Sequence, residues 1–424
     1  MSAMPRVIAL LGLFVFIGLA WLLSNNRRKF PWRTVIAGLA LQFVCALFVL
    51  GTQPGMALFE GARSAVGHLN ECSDEGAKLV FGPLAQQPLL GSVFGGANAF
   101  VFAINISATI IFIAALSALL YHWGILQRVV HVMAVVMQRI MGTSGSESLA
   151  AASNIFLGQT EAALIVKPYI AGMTRSEIMA LMTAGMATIA TGVMVVYGGK
   201  DIGMNAGHIL TASVLSAPAA LLVAKIMFPE TDESDTGAGA KISLEKVDQN
   251  SIDALCRGTS EGVTMAINVM AMLIAFTAAV ALLNMCIGGV HWLLAGRPEG
   301  FHGITLQTML GKANAPFAWL MGIPWRDCEV VGQALGERVV LNEFVGYLSL
   351  SNNKANLEPR SITVATYALC GFANFASIGI QIGGISALAP NRRGDLAKLG
   401  IRAMVAGLLA CYITATVVGI ILPQ

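Results

Sequence analysis

Apolar residues run in long stretches along this chain, and most of the polar residues fall between those stretches. A helix needs about 20 predominantly apolar residues to cross a hydrocarbon core of about 30 Å. We expect a transmembrane helix wherever a stretch meets this length. The eight predicted spans lie near residues 5–24, 34–52, 99–121, 176–198, 207–228, 262–287, 361–389 and 400–422. The pattern therefore predicts an all-α polytopic membrane protein.

Two other segments place polar residues along one side of an apolar helical pattern. Residues 122–142 carry Arg128, His131 and Arg139 around apolar positions, as helices that lie in the membrane interface do. Residues 303–325 have a similar pattern and are expected on the opposite side of the membrane. We therefore expect interfacial helices in addition to the spans.

The composition is typical of a membrane protein, and it argues against several classes of function. Hydrophobic residues make up 56% of the chain, charged residues only 12%, and mean hydropathy is +0.72. The formal net charge of +3 is small and scattered, so no nucleic-acid partner is expected. The cysteines are odd in number and lie mostly in apolar segments, which argues against a disulfide framework. The chain has no CxxC, HExxH or Walker-type phosphate-binding motif, so transport would draw on an ion gradient or on passive flow.

Clusters of basic residues predict the orientation of the chain in the membrane. One cluster lies at 27–33, after the first span, and another at 392–398, before the last span. The positive-inside rule places both clusters in the cytoplasm, so both termini are expected to face outward. The first apolar stretch is expected to be a retained span and not a cleaved signal peptide. By the same reasoning the acidic stretch 229–250 is predicted to be a solvated cytoplasmic linker.

The stretch SNIFLGQTEAALIVKPYI sets Gln159, Thr160 and Glu161 inside a segment that is otherwise suited to lipid. Both flanks belong to the cytoplasmic side, and the segment is too short to cross the membrane twice. We therefore expect a re-entrant hairpin over 144–173 that turns at 157–161. Non-helical backbone at that depth survives only inside protein or beside water, so the tip indicates a polar cavity. The alternative for Glu161 is a carboxylate at a helix N-terminus in a cytosolic loop.

A second re-entrant hairpin is expected over 326–355, with Asn342 and Glu343 at its tip and both flanks on the outer side. A carboxylate at the centre of a span costs on the order of 2.5 to 3.5 kcal/mol, so two acidic tips indicate a function. The alternative for Glu343 is a structural salt bridge with Arg338.

Each predicted hairpin is followed by a span that contains a short break. The break reads Gly-Met-Ala-Thr at 185–188 and Gly-Phe-Ala-Asn at 371–374. Because the two halves start from opposite faces, 176–228 and 361–422 are expected to form an inverted repeat, an architecture that recurs in secondary transporters. A chance likeness between two helix breaks is the alternative.

The polar residues of these segments favour an uncharged, hydroxyl-rich substrate. Asn374, Ser377 and Gln381 are spaced so that they share one helical face, which is expected to border a cavity. Two carboxylates with amides and no cation at the tips suit a sugar-like or nucleoside-like solute, because carboxylate oxygens accept hydrogen bonds from hydroxyl groups. Near the first break, Asn154, Thr188 and freed carbonyl groups would form an uncharged oxygen shell suited to a monovalent cation.

At these residues the chain resembles the concentrative nucleoside transporter family, and the likeness covers nearly the whole chain. The stretches that carry it are SNIFLGQTEAALIVKPYI, TAGMATIATGV, GERVVLNEFVGY and GFANFASIGIQIGG. The nucleoside contacts that the resemblance implies are Gln159, Thr160, Glu161, Val193, Glu343, Phe372, Asn374 and Ser377. The sodium ligands that it implies are the side chains of Asn154 and Thr188 and the backbone carbonyls of Leu157 and Ile189. The chain departs from the family pattern at Ala163, Arg338 and Gly346, and none of these is an implied ligand.

The resemblance also implies a function and a mechanism. It implies a bacterial inner-membrane protein that imports uridine-like nucleosides with sodium and assembles as a homotrimer in the lipid bilayer. Helices 99–121 and 262–287 would form a scaffold against which the substrate-carrying block moves, as an elevator does. Proton-coupled symport and a passive nucleoside channel are the alternatives. An intramembrane hydrolase built on the two glutamates would lack an accompanying His or Cys motif, so an enzyme is not expected.

Overall fold

The computed structural model describes residues 4–94, 101–199, 202–237, 248–295 and 305–422, and every regular element within these ranges is helical. The first helices are α1 (Met4–Leu22), α2 (Trp32–Gly51), α3 (Gln53–Phe81), α4 (Gln87–Phe94), α5 (Phe102–His122) and α6 (Ile125–Met141). The middle helices are α7 (Gly145–Ser153), α8 (Glu161–Ile165), α9 (Lys167–Ile170), α10 (Arg175–Ala187), α11 (Thr191–Gly198), α12 (Ala206–Met227) and α13 (Ser251–Ala295). The last helices are α14 (Leu306–Leu320), α15 (Trp325–Val340), α16 (Glu343–Asn352), α17 (Pro359–Leu369), α18 (Phe375–Leu388) and α19 (Arg393–Ile421).

Seven segments of the described chain are helical, long and apolar enough to cross a membrane, which confirms the predicted fold class. They are Met4–Leu22, Trp32–Gly51, Ala103–His122, Arg175–Gly198, Ala206–Met227, Ser251–Gly289 and Pro390–Ile421. The remaining predicted span, 361–389, is interrupted after Leu369 and resumes at Phe375. Neither α17, with 11 residues, nor α18, with 14, meets the length criterion alone.

The apolar pattern did not predict two of the helices, and it underestimated the length of a third. The sequence reading proposed no element for the region of α3, a 29-residue helix whose charged residues interrupt any apolar run. The hydroxyl oxygen of Thr52 caps its first turn by accepting a hydrogen bond from the Gly55 amide at 3.1 Å. Helix α4 was missed as well. Helix α13 has 45 residues, about 68 Å at 1.5 Å per residue, so it extends well beyond the predicted 262–287.

Helices α5 and α13 pack against each other with almost no space between their backbones. A Cβ atom on Gly258 would lie 2.7 Å from the Ala114 carbonyl oxygen, and one on Gly262 would lie 2.7 Å from the Ile111 Cα atom. Small residues at a helix interface permit this close approach in membrane proteins. These two helices correspond to the predicted scaffold.

The same order of elements occurs twice. Helix α7 ends at Ser153 and α8 begins at Glu161, so the chain turns over the residues between them. Helix α15 ends at Val340 and α16 begins at Glu343, which gives a second helix–turn–helix. Each is followed by a broken helix, α10 with α11 in the first case and α17 with α18 in the second.

The two helix breaks contact each other. The Phe372 amide donates a hydrogen bond to the Thr188 carbonyl oxygen at 3.3 Å, which joins one break to the other. A Cβ atom on Gly371 would lie 2.7 Å from the Met186 carbonyl oxygen, so only glycine fits there without a shift. The Thr191 hydroxyl donates to the Phe156 carbonyl oxygen at 2.6 Å and so joins α11 to the first turn. Freed backbone groups are thus paired across the repeat.

A buried polar network joins the beginnings of α7 and α10 to the end of α12. Glu147 and Glu177 each complete a capping box at the start of their helices. The Lys225 ammonium lies 2.7 Å from the Glu147 carboxylate and 3.2 Å from that of Glu230, and it donates a hydrogen bond to the Ser176 hydroxyl at 2.9 Å. Because Glu147 and Lys225 are both buried, this ion pair fixes α7 firmly against α12.

The predicted solvated linker is attached to the helices at both of its described ends by a few polar contacts, while Asp232, Glu233 and Gln249 are exposed. The Ser234 hydroxyl donates to the Glu177 carboxylate at 2.5 Å. At the other end, Arg257 of α13 donates two hydrogen bonds to Asp248, at 2.6 and 3.0 Å. These bonds lower the pKa of Asp248 below its usual range. Linker residues 238–247 lie outside the described residues.

Candidate functional site

A cavity of about 890 Å³ lies between the two turns and the α5–α13 pair. All eight residues predicted to contact a nucleoside line it: Gln159, Thr160, Glu161, Val193, Glu343, Phe372, Asn374 and Ser377. Four separate segments contribute these residues, so the fold brings together positions that are up to 218 residues apart. The volume falls in the range of small-molecule sites, which is roughly 300 to 1,000 Å³.

Glu343 is the first residue of α16, and its carboxylate is held from two sides. The Tyr197 hydroxyl donates to Oε1 at 2.8 Å, and the Asn374 amide nitrogen donates to Oε2 at 3.3 Å. The Asn342 side chain caps α16 by accepting from the Val345 amide at 3.0 Å, which orients the start of the helix. The carboxylate is therefore held by polar donors from α11 and the second helix break, rather than by the salt bridge with Arg338 that the sequence left open.

Three side chains from the two halves form a chain of hydrogen bonds at the base of the cavity. The Gln159 amide nitrogen lies 3.4 Å from the Ser377 hydroxyl oxygen, and the Gln381 amide nitrogen donates to the Gln159 amide oxygen at 3.0 Å. Gln381 also donates to the Met182 carbonyl oxygen at 3.0 Å. Gly185 lies directly beneath, because a Cβ atom there would be 2.6 Å from the Gln381 amide nitrogen. The shared helical face of Ser377 and Gln381 is therefore turned towards the first helix–turn–helix.

Glu161 begins α8, and its carboxylate folds back over Gly158. Its Oε2 atom is buried and has no hydrogen-bond partner among the described residues. A buried carboxylate oxygen without a partner is costly unless a ligand or water satisfies it. Glu161 thus lies at a helix N-terminus and lines the cavity.

The predicted ion ligands lie next to the cavity, and their chemistry fits sodium. Asn154 is completely buried; its amide nitrogen donates to the Ala150 carbonyl oxygen at 2.9 Å, while Oδ1 has no hydrogen-bond partner among the described residues. The Thr188 hydroxyl donates to the Ala184 carbonyl oxygen at 2.8 Å, which leaves its oxygen lone pairs available. With the backbone carbonyls of Leu157 and Ile189, the donor set consists only of neutral oxygens, as a hard monovalent cation prefers.

The sequence analysis did not assign several polar residues that the structure adds to this cavity. Tyr197 is the clearest, because it bonds directly to Glu343. On α13 the cavity is also lined by Arg257, Ser260, Glu261, Thr264 and Asn268. These five positions follow a helical spacing, so a search for a polar face within the predicted span 262–287 and its N-terminal extension could have found them.

Family models match most of the chain, and related proteins match nearly all of it. Residues 11–84 match a model described as the N-terminus of Na+ dependent nucleoside transporters, 103–200 match "Nucleoside recognition", and 208–419 match the corresponding C-terminus. An uncharacterized transporter, YutK, of Bacillus subtilis is 39% identical over 97% of this chain and 98% of its own. Sodium/nucleoside cotransporter 1 of Mus musculus is 35% identical over 98% of this chain and 64% of its own.

Solved structures of similar proteins share this fold over nearly the whole chain. The structure of CNTnw in an inward-facing substrate-bound state superposes with a TM-score of 0.91 at 37% identity, and covers 98% of each chain. A CNTnw variant in an outward-facing state gives a TM-score of 0.92 at 36% identity, over 99% of this chain and 98% of that one.

A helical multi-pass membrane protein whose two helix–turn–helix tips bring polar residues to one cavity has the architecture of a transporter, and the family that its sequence matches consists of transporters, not enzymes. With these similarities, the chain belongs to the Na+ dependent nucleoside transporter family, as the sequence resemblance predicted. Sodium is the coupling ion named for this family.

Proposed function

We propose that this protein imports nucleosides by symport with sodium. The observation that carries the proposal is the convergence of both acidic tips on one cavity, beside a buried Asn154 oxygen that has no protein partner in the described chain. The cavity offers acceptors for hydroxyl groups, amides for a base and an adjoining oxygen shell for a cation. Family membership and the named substrates of the relatives support the same reading.

The nucleobase would lie against the first tip and the sugar against the second. Gln159 and Thr160 offer an amide and a hydroxyl that can match the polar edge of a base, Glu161 offers an acceptor, and Val193 offers an apolar surface for its face. On the other side, Glu343, Asn374 and Ser377 would bind the ribose, with Phe372 beside it. Measurements of nucleoside binding to variants of these eight residues would test the predicted contacts.

Sodium would be held by Asn154, Thr188 and the carbonyls of Leu157 and Ile189. The ion would supply positive charge, which couples uptake to the membrane potential and to the sodium gradient. One charge moved through ~100 mV supplies ~2.3 kcal/mol, and a tenfold sodium gradient adds ~1.4 kcal/mol. The sum of about 3.7 kcal/mol supports a roughly 500-fold accumulation, so one ion for each nucleoside suffices.

Transport would occur by an elevator-type movement of the two tips against α5 and α13. The cavity extends from the tips to Tyr121 near the end of α5 and Arg257 near the start of α13. The positive-inside rule assigns that end to the cytoplasm, with both termini outward, so this conformation would be open to the inside. The protein would reside in a bacterial inner membrane as a homotrimer, which native mass spectrometry of the purified protein would test.

Uptake of labelled uridine into proteoliposomes tests the proposal. An inward sodium gradient is expected to drive uptake above equilibrium, and an inside-negative potential is expected to increase it. Uptake that is driven by a proton gradient and is indifferent to sodium would replace the proposal with proton symport. Equilibrating flux that responds to neither ion would indicate a channel, and absence of uridine flux under all conditions would reject nucleoside transport.

A further inference from the structure

The hydroxyl of Tyr197 is buried at the centre of the molecule and bonds directly to Glu343. Tyr197 is 0% exposed, and its hydroxyl oxygen lies 2.8 Å from Glu343 Oε1. The residue belongs to α11, which follows the first helix break, whereas Glu343 belongs to the second tip. This hydrogen bond therefore joins the two halves of the repeat within the cavity wall.

The donors around Glu343 limit the hydrogen bonds that its carboxylate can still accept. A carboxylate has about two lone-pair directions on each oxygen. Tyr197 occupies one direction on Oε1 and Asn374 occupies one on Oε2. These two bonds do not use up the acceptor capacity of either oxygen, and both oxygens belong to a group that lines the cavity. Two neighbouring acceptors on one rigid group match two neighbouring hydroxyl donors, as on the vicinal diol of ribose.

The surrounding rings hold the Tyr197 hydroxyl in place. The Tyr197 and Tyr347 ring centroids are 4.6 Å apart, and the Phe344 ring centroid lies 6.1 Å from that of Tyr197. Tyr347 is also 0% exposed, and its own hydroxyl donates to the Thr366 carbonyl oxygen at 2.8 Å. Tyr197 therefore has little freedom to turn away from the carboxylate, and Glu343 is fixed in one orientation.

We infer that Tyr197 is a positioning residue that aims the Glu343 carboxylate at a vicinal diol and so sets a preference for ribonucleosides over nucleosides that lack the 2′ and 3′ hydroxyls. The inference rests on the proposed function and adds to it a residue and a basis for substrate choice. Tyr197 acts through Glu343 and need not touch the substrate.

Direct binding of uridine and of 2′,3′-dideoxyuridine to purified protein in sodium tests the inference. The Tyr197→Phe variant is expected to weaken uridine binding about tenfold or more, the range for loss of one hydrogen bond to a charged group. Binding of dideoxyuridine, which lacks the 2′ and 3′ hydroxyls proposed to face Glu343, is expected to change less than about threefold. The ratio of the two affinities, which measures the preference for uridine, is therefore expected to fall by nearly the same factor as the affinity for uridine.

Tyr347→Phe is the matched control, because it removes one hydroxyl from an equally buried neighbouring tyrosine that does not bond to Glu343. It is expected to leave the preference unchanged. Equal losses for both ligands in Tyr197→Phe, or an unchanged preference, would overturn the inference. If Tyr197→Phe does not fold, Tyr197→Met, which fills the space without a donor, gives the same comparison. Wild-type protein that binds no uridine would instead count against the proposed function.

Discussion

Replacement of Asn154 by alanine tests the proposed sodium site most directly. Asn154 immediately follows α7, it is completely buried, and its Oδ1 atom has no hydrogen-bond partner in the described part of the chain. Its amide nitrogen already bonds to the Ala150 carbonyl oxygen, so the free oxygen is the atom that a cation would use. Loss of one hydrogen-bonding partner of a charged group costs about 1.5 to 3 kcal/mol, which corresponds to a factor of roughly 10 to 150 in affinity.

The assay is the initial rate of labelled uridine uptake as a function of sodium concentration in proteoliposomes. Asn154→Ala is expected to raise the sodium concentration for half-maximal uptake by at least about tenfold. Ser153→Ala is the matched control, because Ser153 is equally buried and its hydroxyl donates only to the Leu149 carbonyl oxygen of its own helix, at 2.7 Å. The control is expected to keep the wild-type sodium dependence.

Two results would refute this reasoning. A folded Asn154→Ala protein with the wild-type sodium dependence would remove Asn154 from the ion shell. Equal shifts for Asn154→Ala and Ser153→Ala would mean that the end of α7 matters for packing and not for ion binding.

Three further variants have distinct expected outcomes. Glu343→Gln should abolish accumulation of uridine while the protein remains folded by gel filtration, and full retained uptake would exclude Glu343 from the site. Gly185→Ala should weaken uridine binding at least tenfold, because the added Cβ would lie 2.6 Å from the Gln381 amide nitrogen; Gly379→Ala, with no atom within 4 Å of its Cβ, is the silent control in the same binding assay. Lys225→Met should destabilise the protein by about 3 to 5 kcal/mol, because it leaves a buried carboxylate without its cation, and an unchanged melting temperature in detergent would show that the ion pair is not needed.

Sequence reasoning reached the helical membrane fold and the two acidic tips because both have strong local signals, whereas cavity residues such as Val193 and Phe372 came only from the family resemblance. Apolar length alone predicts the spans, and a glutamate such as Glu161 or Glu343 is conspicuous inside an apolar segment. The structure brings both of these residues to one cavity. Helix α3 was missed because an amphipathic helix has no continuous apolar run, and a span criterion does not detect it.

The contacts that fix the geometry of the site could not be predicted, because they join residues that are distant in sequence. Nothing near Tyr197 in the chain indicates that its hydroxyl reaches Glu343, 146 positions later. The linker ends were predicted to be solvated from their acidic composition, yet Asp248 pairs with Arg257 on α13. Composition records which groups are polar, whereas tertiary packing decides which of those groups find partners.

The close approach of α5 and α13 determines where the cavity can change its width. Along that seam, around Gly258 and Gly262, backbone meets backbone, so the spacing of the two helices is fixed there, whereas cavity-lining side chains such as Tyr121 and Arg257 lie outside the seam. A larger residue at Gly258 or Gly262 should therefore force the two helices apart and shift that wall of the cavity. Room for a larger cargo would have to come from trimming side chains that line the cavity rather than from parting these two helices, and directed evolution of new uptake specificities should gather its changes at those side chains.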